Sequence, residues 1–230
     1  MKTRLKIDGF LLALLVIVSL STYFFPKLFL FYDQVDNVCD FLGMLLILKG
    51  SFIRMSARGH KCVRSPLGKG LAQDGLYAYT RNPMYLGTLL IGIGFTLIFW
   101  PWWAVFVFAG LFYLRFSPLI RSEQKYLEQK YGQSYVDYCQ QVPAFFPLIK
   151  KSGAINLREE CPWSELWSTK ERRTIWVLPL IALGAEIAQE GWFYQTLPSV
   201  HTVLPLLLAV ALFAFIMAYE YFWKYGKNSK

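Results

Sequence analysis

Two stretches of the chain concentrate residues that are costly to desolvate and useful for gripping a charged cofactor. The first is Gly75-Leu-Tyr77-Ala-Tyr79-Thr-Arg81-Asn82-Pro83-Met-Tyr85-Leu-Gly87. The second runs from Ile120-Arg121-Ser-Glu123-Gln124-Lys-Tyr-Leu127 through Tyr131-Gly132-Gln-Ser-Tyr135-Val-Asp-Tyr138 to Val142-Pro143 and Pro147. Arginine recognises carboxylates, and aromatic faces or a carboxylate stabilise a cation. Plainer readings stand beside this one. Arg81 and Arg121 also suit interfacial anchors that snorkel toward water, and Glu123 has Arg121 and Lys125 within pairing reach on a solvated helix face. Among the tyrosines, Tyr85 and Tyr135 read as pocket residues, whereas Tyr79 and Tyr131 read as interfacial aromatics. Arg115 is open to either reading.

The elements that must position these residues are apolar helices. The chain of 230 residues is 55% hydrophobic and 18% aromatic, and its apolar residues come in runs too long for a soluble core. Hydropathy predicts an all-α, polytopic membrane protein with six spans, at roughly 9–31, 36–55, 84–99, 102–120, 174–190 and 201–223. The first run follows Lys2, Arg4 and Lys6 but overshoots a signal-peptide core and lacks a small-residue cleavage pattern, so it reads as a retained helix. The third is short, about 24 Å at 1.5 Å per residue. It is expected to pair with the fourth as a helical hairpin that turns at Trp100, Pro101, Trp102 and Trp103. Such a hairpin would bring Arg81 to Tyr85 and Arg121 to Gln124 to one membrane edge. The connectors at about 55–83 and 121–173 are long enough to carry function.

In this order, G-x-Y-x-x-x-R-N-P-x-Y-x-G, an apolar hairpin, then E-Q-x-x-L, Y-G-x-x-Y-x-x-Y and V-P-x-x-x-P, the chain resembles the isoprenylcysteine carboxyl methyltransferase and phospholipid methyltransferase superfamily. The resemblance covers about residues 70–150. It implies an S-adenosylmethionine pocket between the hairpin and the cytoplasmic segment, with a lipid-side entrance for an apolar, lipid-like or prenyl-type acceptor bearing a carboxylate, thiol or amine at the cytoplasmic membrane face. Carried over by position, it implies catalytic roles for Arg81 and Glu123. It likewise implies cofactor contacts for Asn82, Pro83, Tyr85, Gly87, Tyr135 and Tyr138. Two positions depart from the family pattern. Asn82 stands where histidine is frequent and cannot act as a titrating base, and Gln124 replaces the second glutamate of a pair. Methyl transfer needs positioning and desolvation more than acid–base machinery, and no Ser-His-Asp arrangement is visible. The membrane sterol or enone reductases, which use NADPH, resemble the same segment; a non-catalytic membrane protein is the other alternative. Residues 1–150 would form the methyltransferase domain, and 151–230 a cytoplasmic linker with two further spans.

The remaining residues exclude other classes. The net charge of +9 is scattered between apolar runs and makes no basic stretch interleaved with aromatics, so nucleic acid is not the expected partner. Cys39, Cys62, Cys139 and Cys161 form no C-x-x-C pair, and free thiols are expected. His60 and His201 fall on opposite sides of the membrane and cannot share a metal; each reads as an ordinary interfacial residue. Glu186 and Glu190, four apart, read as a solvated patch on one helix face.

Orientation follows from the basic residues. Of 24 Lys and Arg, 23 lie at the N-terminus, within 49–82, within 115–173 or at the C-terminus, and Lys27 alone lies opposite. The positive-inside rule therefore puts both termini in the cytoplasm. A C-terminal reporter is expected to be protected from external reagents; labelling of Lys227 in sealed right-side-out cells would overturn this topology.

Overall fold

The computed structural model describes residues 33–64, 70–146, 174–194 and the helical residues 203–204, 206–215 and 218. The span expected at 9–31 lies outside them, as does much of 201–223. The described elements are α1 (Asp33–Arg64), a 3₁₀ turn (Gly75–Ala78), α2 (Pro83–Phe99), α3 (Ala104–Tyr131), α4 (Gln133–Gln141) and α5 (Thr174–Tyr194). All are helical, and no strand occurs among the described residues.

Two helices run well beyond their hydropathic limits. α1 continues past 55 to Arg64 and α3 past 120 to Tyr131, so much of what reads as connector is helix. The reason is compositional: Arg121 to Tyr131 is rich in Glu, Gln, Lys and Leu, which favour helix whether or not they are apolar. Pro118 sits inside α3, where the apolar half gives way to this polar half. Gly132, at φ +57°, ends the helix and starts α4, a backbone conformation that glycine adopts without steric cost.

α3 is the one helix among the described residues long and apolar enough to cross a membrane; Pro83–Phe99, Thr174–Gly184 and Leu206–Phe215 are shorter apolar helices. Phe106 and Leu114 of α3 are about 70% exposed, an apolar surface that suits lipid rather than water.

α2 packs along α1 with backbones nearly touching. A Cβ on Gly50 would lie 2.6 Å from the Gly87 carbonyl oxygen, and one on Gly87 would lie 2.7 Å from that of Gly50. Seven residues along each helix, Gly43 and Gly94 repeat the arrangement, at 2.7 and 2.5 Å. Small residues at helix crossings allow this approach where lipid supplies no hydrophobic drive. Met44, Ile47 and Leu48 of α1 then pack with Ile98 of α2, Ala182 of α5, and Leu206 and Ala209. Glu186 is 4% exposed, which corrects its reading as a solvated patch: it follows Ile175 and Ala182 on the face of α5 that packs inward.

Gly94→Ala should lower stability by about 1–3 kcal/mol through overpacking. Gly110→Ala, where an added Cβ meets nothing within 4 Å, should be neutral or stabilise by up to about 1 kcal/mol. Unfolding in mixed micelles compares the two, and equal behaviour would contradict the tight crossing.

Candidate active site

Pro83 opens α2 at its first turn, where a missing N–H costs nothing. Asn82 precedes it without capping the helix through its side chain. Its amide instead donates to the Ala144 carbonyl at 2.7 Å. On either side, the Arg81 backbone N–H donates to the Pro143 carbonyl at 3.0 Å and the Thr80 hydroxyl to the Phe145 carbonyl at 2.9 Å. Three consecutive residues before α2 thus clasp three consecutive carbonyls after α4.

Within this frame lies a cavity of about 690 Å³, lined by residues of α1, α2, α3, α4 and the turn before α2. Its volume falls in the range of about 300–1,000 Å³ usual for small-molecule sites. Tyr85 of α2 donates its phenol to Oε2 of Glu123 on α3 at 3.1 Å. The two motifs, 38 residues apart, therefore meet directly. The Tyr85 ring also meets Phe116 edge-on at 5.7 Å, and Phe116 continues through Phe112 to Phe145. This aromatic row ties α2, α3 and the clasp together.

Arg81, Asn82, Pro83, Tyr85, Glu123, Tyr135 and Tyr138 all line the cavity. Gly87 does not; it faces Gly50 and the stem of Arg54. Its reading as a cofactor contact is therefore replaced by a packing role, because the motif glycine allows α1 to approach. Tyr131, read as interfacial, lines the cavity and donates to the Gly70 carbonyl at 3.0 Å. Tyr79 is buried, and Arg115 lies over the Phe116 ring; neither lines the cavity. His60, expected at an interface, is 3% exposed with Nε2 2.9 Å from Asp74 Oδ1. Residues that sequence reasoning missed are Arg54, Lys61, Thr88, Phe116 and Lys130. Arg54 was hidden inside a predicted span, and only its charge amid apolar neighbours signalled it.

The electrostatics are lopsided. Arg54, Lys61, Arg81 and Lys130 line the cavity with Glu123, which is the one carboxylate among its described lining residues. Arg81 is held by Nη1 at 2.7 Å from Cys139 Sγ, while its buried Nε has no hydrogen-bond partner. An anion with a cationic or aromatic part matches this lining: guanidinium for the anion, phenol faces and Glu123 for the cation.

Three of the lining tyrosines, Tyr77, Tyr135 and Tyr138, are held in their protonated form. Burial pushes the Tyr135 phenol up to about 12, with Cys139 acting the same way and Arg81 pulling back. Burial also raises Tyr77 and Tyr138 well above the ordinary phenol range, helped by Glu123 and by Tyr77 respectively. Tyr138 spends its proton on the Tyr77 carbonyl at 2.7 Å.

An all-helical protein whose hairpin and following helix enclose a tyrosine-rich, cationic cavity is the class that fold and site define. Residues 38–134 match the family described as phospholipid methyltransferase. The chain is 29% identical to the protein-S-isoprenylcysteine O-methyltransferase of Saccharomyces cerevisiae, over 56% of this chain and 58% of that protein. It is 34% identical to the enzyme of the same name from Schizosaccharomyces pombe, over 34% of each. With protein-S-isoprenylcysteine O-methyltransferase B of Arabidopsis thaliana it shares 28% identity, over 60% of this chain and 74% of that one. The matches span less than two thirds of the two yeast proteins. Over these parts the chain is similar to enzymes of the isoprenylcysteine and phospholipid methyltransferase type. No solved structure gives a significant match.

The raised phenols set an alkaline limit on stability. An unfolded tyrosine ionises near about 10, whereas folded Tyr135 keeps its proton to about 12. Its contribution is whole below the lower value and lost as pH climbs through the upper one. Denaturant titrations between these pH values should show falling stability, with a shallower fall in Tyr135→Phe; identical slopes would contradict this.

Proposed function

We propose that this protein is an S-adenosylmethionine-dependent methyltransferase acting on a lipid-like or prenyl-type acceptor at the cytoplasmic face of a membrane, within a multi-pass fold whose termini are both cytoplasmic. The observation that carries the reading is the Tyr85–Glu123 hydrogen bond at a cavity shared by both motifs. The lining fits the donor. Arg81 offers its guanidinium to the donor's carboxylate, the Tyr135 and Tyr138 wall shapes an aromatic slot, and Glu123 faces the sulfonium. Bound S-adenosylmethionine supplies an electrophilic methyl group on a positively charged sulfur.

What the chain contributes is alignment and dryness. Tyr85 fixes the Glu123 carboxylate, and the aromatic row through Phe116 and Phe112 keeps water from that wall. In-line displacement gains most from such positioning. No histidine lies among the described lining residues, Asn82 cannot titrate, and the raised phenols keep their protons at neutral pH. An amine or thiol acceptor reaches the site largely protonated and needs a base. A carboxylate is already ionised, so it is the acceptor this lining serves best. The three relatives bear the name O-methyltransferase, which agrees with oxygen as the nucleophile.

Transfer of labelled methyl from S-adenosylmethionine to a membrane extract by the purified chain is the test. Glu123→Gln should cut kcat/KM at least about tenfold, as for loss of a charge-assisted contact, and Tyr85→Phe should cut it by less. Absence of S-adenosylhomocysteine binding, or a thermal shift with NADPH alone, would overturn the reading.

A further inference from the structure

Cys139 stands between the motif residues Tyr138 and Val142, and no motif position gives it a role. It lies on α4 one turn after Tyr135, so sulfur and phenol share a helix face. Its side chain packs against the cluster of Tyr135, Tyr138 and Val142, and it is not among the lining residues of the cavity. What it touches is a lining residue: Arg81 Nη1 lies 2.7 Å from its sulfur. The Tyr135 phenol interacts with both groups.

The strong seat for a guanidinium is a carboxylate, which takes two of its N–H groups and cancels its charge. Among the described residues no carboxylate forms an ion pair with Arg81. A thiol sulfur is a weak acceptor, so it fixes direction without neutralising. The main chain of Arg81 is already pinned, through its N–H, to the Pro143 carbonyl at 3.0 Å. With the backbone fixed at one end and the guanidinium at the other, the flexible stem between them loses its freedom before a ligand arrives. The buried Nε has no hydrogen-bond partner, and the charge stays available on the cavity side.

Resting on the proposed methyltransferase reading, we infer that Cys139 is a positioning residue: its uncharged sulfur aims the Arg81 guanidinium and leaves the positive charge to the donor's carboxylate. It touches no reacting atom. Its effect runs through Arg81, and only a ligand that carries a carboxylate registers it. The use of a thiol has a consequence opposite in sign to ordinary packing. A stronger partner at position 139 would hold Arg81 more firmly, yet it would compete with the donor for the same guanidinium. Donor binding is therefore best with a weak seat and fails with a strong one. The Tyr135 phenol, which keeps its proton at neutral pH, leaves the charge uncancelled in the same way.

The test compares two ligands on the full chain in lipid nanodiscs: S-adenosylhomocysteine, which has the donor's carboxylate, and methylthioadenosine, which has the adenosine and a thioether but no carboxylate. Cys139→Asp should weaken S-adenosylhomocysteine about 10- to 100-fold, the scale of a hydrogen bond to a charged group, and should leave methylthioadenosine within about twofold. Cys139→Ala, which removes the seat without adding charge, should weaken the first ligand about two- to fivefold and not the second, and it decides the matter if Cys139→Asp fails to fold. Cys139→Ser restores an uncharged acceptor and should return the affinity to within about twofold of wild type. An equal loss for both ligands marks a merely structural residue, and unchanged S-adenosylhomocysteine affinity in the folded Asp and Ala variants marks an idle one; either overturns the assignment while the methyltransferase reading survives. A wild-type chain that binds no S-adenosylhomocysteine brings down both.

Discussion

Three hydrogen bonds between residues 80–82 and the carbonyls of residues 143–145 close a loop of more than sixty residues, and the site depends on that closure. α2 and α3 leave the clasp as a hairpin, and α4 returns the chain to it. A hairpin alone leaves the polar end of α3 free to splay. With its return path pinned beside Asn82, the faces bearing Glu123 and Tyr135 turn toward α2. The polar groups of the clasp also satisfy one another next to a lined cavity, where an unpaired amide would be costly.

The second constraint is the glycine register between α1 and α2. Two glycines on each helix, seven residues apart, place the backbones in contact at two levels. This fixes the rotation of α1, and with it the direction in which Arg54 and Lys61 point. Two of the cavity's four cationic lining residues, Arg54 and Lys61, therefore come from a helix outside the tyrosine motifs. At Gly87 the missing side chain makes room both for the crossing and for the stem of Arg54.

Much of the site was legible because its residues are chemically conspicuous. Arg81, Asn82, Tyr85, Glu123, Tyr135 and Tyr138 are polar or aromatic, closely spaced and joined by an apolar hairpin, and all of them line the cavity. Gly87 was misread because a motif position does not say whether a glycine faces ligand or helix. The polar half of α3 was missed as helix because hydropathy measures affinity for lipid; Arg121 to Tyr131 carries a helical preference that hydropathy ignores. The pairing of Arg54 with Thr88 was not legible for another reason: it depends on the crossing of α1 and α2, which no local pattern encodes. Buried Glu186 makes the same point, since a carboxylate near the end of a predicted span reads as solvated until its packing partner is known.

The central claim is that a sulfonium donor sits between α2 and α3, against the clasp. Ultraviolet cross-linking of labelled S-adenosylmethionine to the full chain in nanodiscs, followed by peptide mapping, tests it most directly. The label should fall within residues 77–88 or 123–138 and be competed away by S-adenosylhomocysteine. Competable label confined to residues 174–215 would contradict the account.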